Sequence, residues 1–327
     1  MSVPALDTTT VAALVKDATT APSMHNAQPW RFRFLRESGT VELYADPERA
    51  IPHADPVGRA LHIGCGAALF TLRVAALHAG REPHVRLLPD PGRPQLLATV
   101  DLSAPAEPGD TLAGLYPAIA RRHTSRYPFA DTPIPSPVRD DLREAARLEG
   151  ASLDFPGPWH VRFLLDLVED AEGLDTMDPD RVAEVERWTR IGAETAADDG
   201  VPEYAFGPRR RSGRAPVRDF AGRRHPVDLG TTDFEEKPQL ALLGTESDRP
   251  GDWLRAGQAL QRVLLRATSH ELVASVTTQA LEWRDLRWAA REPLSTMAHV
   301  HLTLRLGYGP VGPTSPRRAV RDVLEFA

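Results

Sequence analysis

The most constraining feature of this sequence is a pair of long apolar segments, at residues 57–79 and 252–269. The first consists almost entirely of Gly, Ala, Leu, Val and Phe, so a helix formed by it is apolar on every face. Such a helix has to be buried on all sides. The small residues at 64–68 would let another helix approach closely. The two segments are therefore predicted to pack against each other at the centre of the fold.

Shorter segments recur around these two helices in the same order. Apolar periodicity predicts helices at 8–20 and 136–147, and alternation predicts strands at 28–35 and 158–165. Other predicted elements are strands at 41–44, 85–88, 96–102 and 299–306, and a helix at about 110–122. The order indicates a two-fold internal repeat. We expect an α+β fold with antiparallel-dominated, mixed sheets flanked by helices.

The repeat divides the chain at about residue 120, into a first half at 1–120 and a second at 121–327. Aligning Trp30 with Trp159 and Gly66 with Gly257 makes the second half longer, and places the excess at about 178–238. Its first part, 178–197, has a helical pattern, and the rest is rich in Gly, Pro, Arg and Asp. A long irregular stretch inside a compact domain is usually a functional lid or a disordered insert.

Composition excludes several classes of protein. The net charge of −6 argues against a general nucleic-acid binder. The single cysteine, Cys65, excludes an intrachain disulfide framework and a cysteine-based zinc site, and is expected to be core packing. No membrane span and no secretory signal are expected, so the expected location is the cytoplasm.

Three polar segments are candidates for binding. The turn at 22–30 presents Ser23, His25, Asn26 and Gln28, whose short donors and acceptors suit a ribityl chain or a phosphate. Alone, this pattern is more typical of an ordinary turn, because Ser and Asn are common turn residues. The second segment contains Arg122, Thr124 and Arg126, and the third contains Arg317 and Arg318. Arginines and hydroxyls suit a phosphate. Alternatively, the second segment is the solvated end of a helix and the third is a surface loop.

Together, PSxxNxQPW at 22–30, RRxTxR at 121–126 and PRR at 316–318 resemble the nitroreductase superfamily of FMN-dependent oxidoreductases. The arrangement is similar to the fused, Acg-type branch of actinobacteria. In the ordinary family two chains share two flavin sites, each built from an arginine motif of one chain and a PSxxN turn of the other. Here each half keeps only one of these motifs. The resemblance implies an intramolecular pseudo-dimer with one FMN, as a monomer or a homodimer.

The resemblance also implies residue roles. Arg122 and Thr124 would bind the phosphate, with Arg317 and Arg318 completing the anion site. Arg126 would lie near the N1/O2 edge of the flavin ring and stabilise its reduced form. The remaining cofactor contacts implied are Ser23, His25, Asn26 and Gln28 on the turn, and Thr278 and Gln279 facing N5 in the loop at 275–280. His25 is also a candidate proton donor, or a plain loop histidine.

Some features depart from the family pattern or are ambiguous. His270-Glu271 stands where a glycine is common after the second buried helix. His299 and His301 share a strand face, but without a third ligand no metal site is expected. The arginines at 209–211, 214, 218 and 223–224 either attract a nicotinamide dinucleotide phosphate or form a solvated basic loop.

Two functions remain open. The first is an NAD(P)H-dependent oxidoreductase that passes hydride through flavin N5, by ping-pong, to a small-molecule acceptor such as a quinone or nitroaromatic, with no side chain as general base. In the second, the insert closes over FMN and the protein sequesters flavin with little or no turnover. A cofactor-free interaction protein is disfavoured, because the two halves retain complementary motifs.

Overall fold

The computed structural model describes residues 6–107, 109, 111–222, 224, 227–291 and 297–327. The helices in these ranges are α1 (Thr8–Ala18), α2 (Arg59–His78), α3 (Tyr116–Ile119), α4 (Ser136–Arg147), α5 (Pro158–Met177), α6 (Pro179–Arg187), α7 (Pro250–Ser269), α8 (Gln279–Glu282), α9 (Arg284–Ala289) and α10 (Val320–Val323). The strands are β1 (Trp30–Leu35), β2 (Thr40–Ala45), β3 (His84–Leu87), β4 (Leu96–Asp101), β5 (Ser152–Asp154), β6 (Thr189–Arg190), β7 (Val201–Pro202), β8 (Arg209–Ser212), β9 (Thr231–Asp233), β10 (Leu240–Thr245), β11 (Val273–Thr277), β12 (His299–Gly307) and β13 (Leu324–Phe326).

Two main sheets organise the molecule, and the fold is α+β as expected. The first has the strand order β13-β1-β2-β4-β3, and the second has the order β11-β12-β10-β5. Their pairings are antiparallel, except that β13 joins β1 in parallel. One apolar cluster lies between α1, α2 and the first sheet, and another lies between α4, α7 and the second. The C-terminal strand thus returns from the second sheet to the first.

The same order of elements occurs twice along the chain. The first series is α1, β1, β2, α2, β3 and β4; the second is α4, β5, β10, α7, β11 and β12. Corresponding strands also take corresponding places, because β1-β2-β4-β3 matches β5-β10-β12-β11. The two chain segments therefore build similar units from similar connections.

The helices α2 and α7 cross in direct contact at Gly66 and Gly257. A Cβ atom at Gly66 would lie 3.0 Å from the Cα of Gly257, and a Cβ at Gly257 would lie 2.9 Å from the Cα of Gly66. Only glycine fits at this distance. By length and hydropathy, α2 would also qualify as a membrane-spanning helix, contrary to expectation. However, 78% of its most apolar 18-residue stretch is buried inside the protein.

The strand predicted at 158–165 is wrong: these residues open the helix α5. Pro158 occupies the first turn of α5, where the missing N–H costs nothing. Buried side chains then recur at helical spacing, at His160, Leu164, Leu165 and Val168. Trp159, aligned above with the buried Trp30, is 64% exposed. A short apolar run is compatible with the period of a strand and with that of a helix, and here it forms a helix.

This correction moves the insert. The strand that pairs with β10 is the three-residue β5, with Leu153 opposite Leu243. The extra chain therefore lies between β5 and β10, at residues 155–239, and starts earlier than the predicted 178–238. It contains α5, α6 and the short pairs β6-β7 and β8-β9.

Two predicted helices are shorter than expected. The one at about 110–122 is reduced to the 3₁₀ turn Ala113–Leu115 followed by α3, and Asp110 lies outside the described residues. Gly114 and Pro117 explain the loss, because both residues disfavour a helix interior. The helical pattern at 178–197 yields α6, which ends at Arg187.

Candidate cofactor site

A cavity opens between the two sheets and contains about 1020 Å³ of empty space, including its mouth. Its walls come from the turn before β1, the start of α2, the segment after α3, the end of β11 and residues 216–218 and 220 of the insert. Of the predicted site residues, those that line it are Ser23, His25, Thr124, Arg126, Thr278 and Gln279. Two segments far apart in sequence, the Ser-His turn and the arginine motif, thus meet at one space.

The turn before β1 has an unusual backbone. His25, Asn26 and Gln28 have φ angles of 50°, 55° and 54°, although none is glycine. Such conformations cost of the order of 1–3 kcal/mol each and persist only when the surroundings impose them. Ser23 helps to impose this one, because its Oγ accepts a hydrogen bond of 2.9 Å from the Gln28 N–H.

Asn26 and Gln28 point away from the cavity and tie other segments to the turn. The Asn26 amide donates to the carbonyls of Gly200 (3.0 Å) and Pro316 (3.1 Å). The Gln28 amide donates to the Asp198 carbonyl at 2.8 Å and accepts from the Arg318 N–H at 2.9 Å. The two side chains therefore fasten the insert and the C-terminal tail to the turn.

Arg122 and Arg317 form an adjacent pair of cations beside the cavity. The Nη2 atoms of both arginines donate hydrogen bonds of 3.0 Å to the Thr20 carbonyl. Arg122 is buried, Arg317 is half-buried, and the Nε atoms of both are shielded without a partner. Among the described residues no carboxylate lies within 4 Å of either guanidinium. Neither residue lines the cavity, but Thr124, two residues after Arg122, does so.

The buried position of the two arginines lowers the pKa of both. Burial, together with the charge of Arg317, lowers the pKa of Arg122 to about 9, and burial lowers the pKa of Arg317 to about 10. Both residues remain cations at neutral pH. Buried charges normally have a counter-charge, so the pair is suited to receive an anion.

Arg126 and His25 contact the insert. Arg126 Nη1 donates to the Ala205 carbonyl at 2.8 Å, and its guanidinium lies 4.9 Å from the centre of the Phe220 ring. The His25 ring meets Phe220 edge-on at 5.7 Å. Burial, then the charges of Arg218 and Arg126, hold the pKa of His25 well below its usual range. His25 is thus neutral at physiological pH, with its Nε2 buried and unpartnered.

The opposite wall contains a buried carboxylate. Glu282 accepts from the Thr278 hydroxyl at 2.7 Å and from Arg218 of the insert. Burial raises the pKa of Glu282, although Arg218 opposes the shift. Gln279 is 2% exposed, and its amide donates to Glu172 of α5 at 3.3 Å. Arg181 of α6 lies 3.5 Å from Glu282 Oε2 and donates to the Glu282 carbonyl at 3.2 Å. The insert is therefore attached to this wall by ion pairs from Arg181 and Arg218 and by hydrogen bonds.

Several cavity residues were not predicted as site residues: Asp55, Arg59, Phe220 and Glu282. Arg59 had a detectable signal, since it is a cation at the start of a mostly apolar helix, where the helix dipole disfavours positive charge. Arg218 was predicted only as one of the basic residues of the insert. The other three have no signal, because only the tertiary fold brings them to the cavity.

The secondary candidates have structural explanations. Cys65 is fully buried, and burial raises the pKa of its thiol. His301 Nε2 lies 2.6 Å from the Thr245 hydroxyl, and burial, followed by Arg287, lowers the His301 pKa to about 3. Within the described ranges no cluster of three metal-ligating side chains occurs.

The basic residues of the insert fall into two groups. Arg211, Arg214 and Arg218 form ion pairs with Asp233, Asp166 and Glu282, respectively. Arg209 and Arg210 lie in β8 and are exposed, whereas Arg223 lies outside the described residues. The loop is therefore partly neutralised by ion pairs.

Comparison with known proteins identifies relatives over almost the whole length. The chain is 32% identical over 333 residues to "Putative NAD(P)H nitroreductase Rv3131" of Mycobacterium tuberculosis H37Rv, covering 98% of this chain and 92% of the relative. It is 31% identical over 328 residues to "Putative NAD(P)H nitroreductase acg" of the same strain, with coverages of 97% and 95%. No family model matches the chain.

Similar solved structures include a nitroreductase from Anabaena variabilis, with 11% identity, a TM-score of 0.40 and coverage of 92% of this chain and 73% of the other. The FMN- and NADPH-dependent nitroreductase NfnB from Sphigopyxis has 15% identity, a TM-score of 0.39 and coverages of 65% and 98%. At these scores the assignment rests on the sequence relatives alone. On that basis, this chain belongs to the NAD(P)H nitroreductase family.

Proposed function

We propose that the chain binds one FMN in the cavity between the sheets and acts as an NAD(P)H-dependent oxidoreductase. The observation that carries this proposal is the pair Arg122 and Arg317, whose charges have no carboxylate partner among the described residues. A phosphate would supply the missing counter-charge, and the neighbouring cavity, which Ser23, Thr124 and Arg126 line, would receive the rest of the cofactor. Membership of the NAD(P)H nitroreductase family supports the redox part of this proposal.

The residues would divide the work as follows. Arg122, Arg317 and Thr124 would hold the phosphate, while Ser23 and His25 would contact the remainder of the cofactor from the turn. Asn26, Gln28 and Arg318 would act as positioning residues, because their hydrogen bonds tie the turn to the insert and the tail. Asn26 would also position Arg317, whose Nη1 donates to Asn26 Oδ1 at 2.9 Å.

The ring end of the site would be formed by Arg126, Thr278 and Gln279. Bound FMN supplies hydride chemistry, taking two electrons from NAD(P)H and passing them to an acceptor such as a quinone or nitroaromatic. Arg126 would place positive charge at the ring edge that becomes negative on reduction. His25 is neutral and no general base is required of it. The walls from the insert would exclude water from this end.

We further propose that residues 1–120 and 121–327 are fused halves related by an internal two-fold axis, with one working site per chain. The doubled order of elements and the reciprocal contact of Gly66 with Gly257 support this division. In this division the insert at 155–239 belongs to the second half. The chain is either a monomer or a homodimer.

A second candidate function is flavin sequestration without turnover. The observation in its favour is that Phe220 and Arg218 of the insert form part of the cavity wall, where Phe220 contacts both His25 and Arg126. An insert held in this position would keep NAD(P)H and acceptors away from the ring.

Two measurements test these proposals. Purified protein saturated with FMN is mixed anaerobically with NADPH or NADH, and the flavin absorbance is followed. Bleaching within seconds supports the oxidoreductase, whereas no bleaching over minutes favours sequestration. In the latter case Phe220→Ala should accelerate reduction, and an unchanged rate would count against a closed insert. A preparation that takes up no FMN refutes both functions.

A further inference from the structure

We propose that the electron acceptor of this site is an organic anion that carries a carboxylate, and that Arg59 at the start of α2 binds this carboxylate. The proposal rests on the oxidoreductase function above and names its substrate class.

Arg59 is a buried cation that faces the cavity. It is 8% exposed and is one of the cavity-lining residues. Its Nε is shielded from solvent and has no partner, while one Nη2 donates to the Leu281 carbonyl at 2.5 Å. Within the described part of the chain no carboxylate lies within 4 Å of this guanidinium. The side chain therefore has free hydrogen-bonding capacity and no carboxylate in direct contact.

Arg59 remains charged at physiological pH. Burial and, to a smaller extent, the neighbouring Arg287 lower its pKa to about 10, against the opposing effects of Asp55, Asp248 and Glu282. A guanidinium presents several donors in one plane, which matches the two oxygens of a carboxylate. The residue is thus suited to binding such a group.

The backbone at the start of α2 also favours a negatively charged ligand. Arg59 is the first residue of the 20-residue α2, and Gly58 before it provides no side-chain cap. The positive end of the helix dipole therefore coincides with a buried cation. Asp55, which accepts from the Leu61 N–H, offsets part of this positive charge, and a bound anion would add to that effect.

The acidic groups on this wall are already engaged. Asp55 accepts from the Leu61 N–H at 2.9 Å, and Glu282 accepts from Thr278 and Arg218. Nearby, Asp248 accepts two bonds of 2.9 Å from Arg287. None of these carboxylates makes an ion pair with Arg59, although all three stabilise its charge from a longer distance. The direct contact with the guanidinium is left to a ligand.

The test compares two ligands of nearly equal shape, 4-nitrobenzoate and 4-nitrobenzamide, on the oxidised FMN-loaded protein. Equilibrium binding is followed through the change in flavin absorbance, with no turnover. We expect the benzoate to bind at least about tenfold more tightly, as expected for a charge-assisted contact. Arg59→Met should reduce this preference to less than about twofold, and Arg59→Lys should retain part of it. The matched control is Arg86→Met, on the exposed face of β3.

Three outcomes would overturn the proposal: equal binding of both ligands to the wild type, an undiminished preference in Arg59→Met, or loss of FMN from Arg59→Met, which would make Arg59 a cofactor contact. If the wild type takes up no FMN, the proposed function fails separately. The same ligands are then titrated calorimetrically onto the flavin-free chain. An Arg59-dependent preference there supports the anion site, and its absence refutes it.

Discussion

Gly66 and Gly257 pack against each other by the same contact in both directions. A methyl group at Gly66 would overlap the carbonyl of Leu254, and a methyl at Gly257 would overlap the carbonyl of Ile63. Each glycine thus meets the backbone three residues before its partner. Self-complementary contacts of this kind arise at two-fold axes. We interpret the crossing of α2 and α7 as the axis of the internal repeat, which would place the cofactor cavity beside it.

Gly257→Ala should destabilise the protein by about 2–3 kcal/mol, because the added methyl group forces two packed helices apart. Urea unfolding followed by circular dichroism measures this change. The control is Gly173→Ala in α5, where a Cβ would meet no atom within 4 Å. That variant should be up to about 1 kcal/mol more stable, because alanine favours a helix. Equal effects of both changes would argue against a tight crossing.

Glu271→Gly should stabilise the protein by about 1 kcal/mol, because glycine adopts a left-handed backbone without strain. Glu271 follows α7 with φ at 58°, whereas the matching position after α2 is Gly80 with φ at 75°. The ion pair lost with Arg121 is exposed and contributes little. Thermal unfolding measures the gain. Glu271→Ala, which keeps a Cβ, should show no gain, and an equal rise in both variants would contradict the strain argument.

Long periodic elements were predictable from the sequence, and short ones were not. Helix α4 matches its predicted bounds, and α2 and β4 differ by one or two residues, since many side chains report the same period. The three-residue β5 contains too few residues to show a period. Because the sequence does not predict β5, it places the corresponding strand at 158–165, which is the start of α5.

Protonation of His301 should destabilise the fold in mild acid. Burial and Arg287 lower its pKa to about 3, from 6.5 in an unfolded chain. Between these values the unfolded chain binds a proton that the folded chain does not, so stability decreases as pH falls through this window. His301→Gln should reduce that loss by up to about 1.4 kcal/mol per pH unit.

The measurement is urea unfolding of wild type and variant at pH 7 and pH 5. Because His25 also has a lowered pKa, the wild type should lose stability in excess of the His301 contribution, and the difference between the two proteins isolates His301. Parallel pH profiles would show that His301 is protonated in the folded state.

Arg122→Met should stabilise the flavin-free protein by about 1–2 kcal/mol, because it removes a buried cation that has no counter-charge beside Arg317. The Thr20 carbonyl keeps its bond from Arg317. Melting temperatures without FMN measure this effect. With saturating FMN the order should reverse, since the wild type gains more from the ligand. A less stable flavin-free variant would indicate that Arg122 is a structural residue.

The candidate site was predictable to the extent that it lies in short motifs. The motifs located Ser23, Thr124 and Arg126, and all three line the cavity. They did not show that Asn26 points away from it, because side-chain direction depends on the left-handed turn and on partners 174 and 290 residues away in sequence. Phe220 was beyond prediction for the same reason, since its place in the wall depends on how the insert folds back.

The most direct test of the central claim is an equilibrium titration of FMN onto the wild type, Arg122→Met and the surface control Arg86→Met, followed by quenching of flavin fluorescence. We predict one FMN per chain and no change of affinity in Arg86→Met. In Arg122→Met the affinity should be lower by about 10- to 100-fold, as expected for a lost charge-assisted phosphate contact. Binding of FMN to Arg122→Met within twofold of the wild type, or no binding to the wild type, would contradict the claim.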